Sequence, residues 1–105
     1  MGLPMRSVDV RHELIQILRD ARSLLALPDN DFSWSSWEDA TAALSELDGY
    51  IAALERGDLP SHPDLAVLFA STGRMQEVSL SSGWADSFLA VAERFDRVAA
   101  RIWMV

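Results

Sequence analysis

At 105 residues the chain has room for one domain around one core, and a composition half apolar and a quarter charged excludes a disordered polypeptide. Its net charge of −7 repels phosphate backbones and argues against nucleic acid as a partner. With no cysteine, disulfides, thiolate metal sites and thiol nucleophiles are excluded, and with no lysine so are Schiff-base chemistry and a phosphate-loop lysine.

All nine basic residues are arginine, which together with the abundant alanine fits a GC-rich bacterial genome. No run approaches the roughly 18 apolar residues of a membrane span. The opening Met1-Gly2-Leu3-Pro4-Met5-Arg6 lacks the uninterrupted apolar region of a signal peptide, and Arg6 stands where a myristoylation signal wants Ser or Thr. A cytoplasmic location is expected. The charge is unevenly spread: residues 29–64 hold nine acids against Arg56 alone, whereas the flanking segments are nearly balanced.

Apolar residues recur at helical spacing in three long segments. The first helix is expected from Ser7, which can cap it, to Leu27, with Pro28 as its stop. Val10, Leu14, Ile17, Ala21 and Leu24 form its stripe, and Ile15, Leu18 and Leu25 widen it enough to meet two neighbours. The acidic turn Asp29-Asn30-Asp31 opens like a calcium loop. It lacks the glycine at the sixth position, where Trp34 stands, and Ala40 replaces the twelfth-position Glu.

For the second helix, Ser35 and Glu38 have capping-box spacing. Trp37, Ala40, Leu44, Leu47, Ile51 and Leu54 then form the stripe, and Gly57 ends the helix in a left-handed turn. Gly49 inside it suggests a closely approaching neighbour. A short third helix starts at Pro63 and ends near Gly73. Residues 74–81 are expected as a loop with one helical turn. The last helix begins around Ser82-Gly83-Trp84, carries Phe88, Val91, Phe95, Val98 and Ile102 inward, and places Glu93 and Arg97 at ion-pair spacing. The expected fold is all-α: one domain over 1–105, an antiparallel four-helix bundle of three long helices and one short one.

Catalytic and metal motifs are sparse. His12 has no second ligand at helical zinc spacing, and His62 lies beside Pro63 as a cap or loop residue. No nucleophile elbow and no glycine-rich phosphate loop occurs, so neither cofactor nor metal is expected. Arg56 and His62, separated by five residues, resemble the Arg…His motif of HEPN ribonucleases, which are also small helical bundles. That resemblance implies a phosphate-holding Arg56 and a general base at His62, although Gly57 and Pro60 interrupt the intervening segment.

The stronger expectation is binding rather than catalysis. Phe32 and Trp34 cluster ahead of the second helix, whose exposed side carries Asp39, Glu46, Asp48 and Glu55. Together they suggest a face for a basic protein partner, as in immunity or antitoxin proteins, with acids steering the encounter and aromatics anchoring it. An alternative is a structural dimer built on the broad first helix and on Trp103, which with Met104 lies off the main stripe of the last helix.

Overall fold

The computed structural model describes residues 7–103, with side chains from Val10 onward. Among the described residues every regular element is a helix: α1 (Ser7–Leu25), α2 (Ala40–Arg56), α3 (His62–Phe69), α4 (Arg74–Ser82) and α5 (Ala85–Trp103). The three long helices and the short α3 match the expectation. Met1–Arg6, Met104 and the capping side chain of Ser7 lie outside the described residues. No described helix is long and apolar enough to cross a membrane.

The segment expected as a loop is α4. Its Val78 and Leu80 alternate like a strand, but Met75, Val78 and Ser79 at helical spacing are all buried while Leu80 points out. Glycine brackets the helix. Gly73 is its N-cap, and Gly83, at φ +85°, closes it by donating its backbone N–H to the Ser79 carbonyl.

Helix α2 starts later than the capping-box spacing predicts. Its N-cap is Asp39, whose carboxylate accepts the Ala42 N–H at 2.9 Å. The Ser35 hydroxyl is engaged upstream, where it accepts the Trp37 N–H and donates to the Phe32 carbonyl. At the far end Gly57, at φ +97°, supports a Schellman turn: Asp58 N–H reaches the Ala53 carbonyl and Gly57 N–H the Leu54 carbonyl. α1 ends at Leu25, two residues short of the expected stop, and the Asn30 side-chain amide donates to the freed Leu24 carbonyl.

Helix α1 packs against both α2 and α5, as its wide apolar face requires, and α5 also meets α3 and α4. Its Leu14, Ile17, Leu18, Ala21 and Leu25 are buried with Leu47 and Leu54 of α2 and Phe88, Phe95 and Val98 of α5. Each fully buried side chain of this size contributes about 1.5–3 kcal/mol over its exposed state.

Ion pairs flank this apolar seam. Toward α2, Arg19 meets Glu55 at 2.6 Å and Arg22 meets Asp48 at 2.6 Å. Toward α5, Asp20 meets Arg94 at 2.7 Å and Glu13 meets Arg101 at 3.4 Å. On both sides the partners' numbers fall as α1's rise. The Glu93–Arg97 pair expected within α5 does not form among the described ion pairs; Arg94 instead crosses to Asp20, part-buried between the helices.

Candidate protein-interaction surface

Six residues carried the sequence expectation of a binding face, and the structure separates them into two groups. Phe32 and Trp34 stand in the connection between α1 and α2. Phe32 is half-buried against the core, whereas Trp34 is 75% exposed. The loop that carries Trp34 is hydrogen-bonded to the corner between α4 and α5 and within itself. Trp84 Nε1–H donates to Asn30 Oδ1 at 2.8 Å, and the Asp31 N–H donates to Ser82 Oγ at 2.9 Å. Inside the loop, Ser33 N–H donates to the Asp31 carboxylate and Ser35 N–H to the Phe32 carbonyl. The bonds from Ser33 hold the Asp31 carboxyl below the ordinary aspartate range. Asp29, Glu38 and Asp39 are exposed around this loop.

The four acids of the second group are all engaged within the chain. Asp39 caps α2. Asp48 accepts two bonds from Arg22, at 2.6 and 3.2 Å, which lowers the carboxyl's pKa and raises that of the guanidinium. Glu55 pairs with Arg19.

Glu46 sits in a polar cluster where α2 and α4 meet. Arg74 grips it bidentately at 2.7 and 2.5 Å, and Trp37 Nε1–H donates to the same carboxylate at 3.1 Å. The Arg74 guanidinium also lies 4.7 Å from the Trp37 ring centroid, a cation–π contact. Tyr50 borders the cluster; burial and then the Glu46 charge push its hydroxyl above the ordinary tyrosine pKa. Arg74 had no signal in the sequence, because its segment read as a loop and its partner is 28 residues away.

Arg56 and His62 each have their own surroundings. Arg56 is exposed and reaches Asp58 at 3.4 Å. The His62 ring lies 4.9 Å from Trp103 and 6.5 Å from Phe95, inside an aromatic group completed by Phe69. His62 borders a groove between α3 and α5 in which Arg56 has no part. Trp103, which could have projected outward, packs half-buried on this group. His12 is exposed, and no group of His, Asp and Glu able to hold a metal ion occurs among the described residues.

The groove itself was not foreseen. It has a volume of about 380 Å³ and is lined by Ala66 and Phe69 of α3 and by Phe88, Leu89 and Ala92 of α5. Glu93 and Asp96 line its α5 side. Leu89, an apolar residue off the inward stripe of Phe88, Val91, Phe95 and Val98, was the available signal.

Comparison of the chain with protein-family models, with curated proteins and with solved structures returns no match.

Proposed function

We propose that this chain is an antiparallel helical bundle that acts as a non-enzymatic protein-interaction domain, with Trp34 as the anchor for a basic partner. The observation that carries the reading is a tryptophan left 75% exposed on a loop that is otherwise hydrogen-bonded into place. Tryptophan is the residue type most enriched among interface hot spots, and a pre-ordered loop loses little conformational entropy on binding. Phe32, half-buried against the core, holds the same loop from the inside.

The sign of the partner's charge follows from the surroundings. Asp29, Asp31, Glu38 and Asp39 flank Trp34 in sequence, and no arginine stands between Arg22 and Arg56. The ion pairs of Asp48 and Glu55 with α1 take those two acids out of the steering field, so the negative face centres on the Trp34 loop.

Affinity capture from native lysate with the tagged protein and with its Trp34→Ala variant tests the reading. A basic protein retained at low salt, shed at high salt and lost by the variant is the expected result. Retention unchanged by salt and by Trp34→Ala would overturn it, provided circular dichroism shows the variant folded.

A further inference from the structure

Helix α5 leaves one large apolar side chain, Leu89, outside the core. Phe88, Val91, Phe95 and Val98 point inward and are buried. Beside them, Leu89, Glu93 and Asp96 line a groove with the buried Ala92 between them, and Leu89 is 51% exposed. Across the groove α3 contributes Ala66. Alanine at both 66 and 92 keeps the floor low, so the space between α3 and α5 stays open rather than being filled by the chain's own side chains.

From this geometry we infer that the α3–α5 groove docks an amphipathic helix bearing basic residues beside its apolar stripe. A strip of apolar floor lined at helical spacing is the shape that a helix-in-groove contact uses. The charge at the edge selects among occupants. Glu93 and Asp96 are exposed, and neither has an ion-pair partner among the described residues, although five carboxylates elsewhere form pairs between helices. An arginine or lysine flanking an apolar stripe would complete them, and partial water exclusion by the bound helix would strengthen each pair. A second copy of this chain is a poor occupant: a two-fold contact through this face sets Glu93 and Asp96 against their own counterparts.

The inference concerns a surface separate from Trp34 and stands or falls independently of it. Its test is selection from a displayed library of four-turn helical peptides against the full chain, followed by titration of the selected peptides in solution. The expected pool carries apolar residues at three- and four-residue spacing with adjacent Arg or Lys. Binding of its members should weaken at least ~tenfold in the double variant Glu93→Lys/Asp96→Lys and should be lost in Ala66→Trp, which fills the groove. Trp34→Ala should leave it unchanged. Where Ala66→Trp fails to fold, Leu89→Ser serves in its place. No enrichment, enrichment of acidic peptides, or equal binding to the charge-reversed variant would each overturn the inference. So would self-association, seen by sedimentation, that competes with the peptides.

Discussion

At Gly49 a Cβ would meet no atom within 4 Å, so the close neighbour its position suggests is absent and the glycine faces solvent on α2. Gly49→Ala is therefore expected to stabilise the fold by about 1 kcal/mol, because only the entropic cost of a helical glycine is removed. That corresponds to a melting temperature higher by roughly 4–8 °C in a calorimetric scan. Gly73 is the opposite case: a Cβ there would lie 2.3 Å from the Val67 backbone carbonyl oxygen, which cannot swing aside as a side chain can. Gly73→Ala should cost about 1–3 kcal/mol by chemical denaturation. Neither result was legible in the sequence, which marks a glycine but not what surrounds it. Gly57 was legible, because a glycine directly after an apolar stripe is itself the stop signal. Tyr50, the only tyrosine, offers a third residue-scale check. Its tyrosinate absorbance should appear with a midpoint above the ordinary value of about 10, since burial and Glu46 both disfavour the charged form.

Between elements, the ion pairs differ in what they contribute. Arg19 and Glu55 have side chains about half exposed, a setting where such pairs are worth about 0–1 kcal/mol. Arg74 and Glu46 are only a quarter exposed, doubly bonded, and stacked on Trp37. Arg74→Ala leaves a half-buried carboxylate with the Trp37 N–H as its remaining side-chain donor, and a loss of about 1–3 kcal/mol is expected. Arg19→Ala should lose less than ~1 kcal/mol when both variants are titrated with urea; equal losses would contradict this ranking. Periodicity located the long helices because their stripes repeat over several turns. It missed α4, whose nine residues give few repeats and whose limits are set by Gly73 and Gly83. It also misplaced the start of α2, since Ser35 and Asp39 are both good caps and only the surrounding hydrogen bonds decide between them.

For the molecule as a whole, the all-helical class was readable from spacing alone, but the distribution of free charge was not. The sequence places Asp48 and Glu55 on one side of α2. Whether Arg22 and Arg19 stand opposite depends on how α1 is rotated about its axis, which no local pattern encodes. The same pairing makes stability depend on acid. Asp48 has a lower pKa folded than unfolded, so its contribution is complete above the unfolded value and is lost as pH falls through the folded one. Melting temperature should therefore decline as pH drops through the carboxylate range, and Asp48→Asn should lower the neutral-pH value while shallowing that decline. Burial sets a harsher limit: Leu47 and Phe95 lie in the core at 0% and 2% exposure, and Leu47→Asp or Phe95→Asp should abolish cooperative unfolding.

The seam of α1 has a consequence for the order in which the chain is made. Its two neighbours are α2, which follows directly, and α5, which is synthesised only after α2, α3 and α4. At about 5–20 residues per second during translation, several seconds separate the completion of α1 from that of α5. Through that interval the nascent chain can close the hairpin of α1 and α2, yet the α1 surface destined for Phe88, Phe95 and Val98 stays bare. A fragment ending before α5 should thus be helical but sticky, and adding α5 as a separate peptide should restore its solubility.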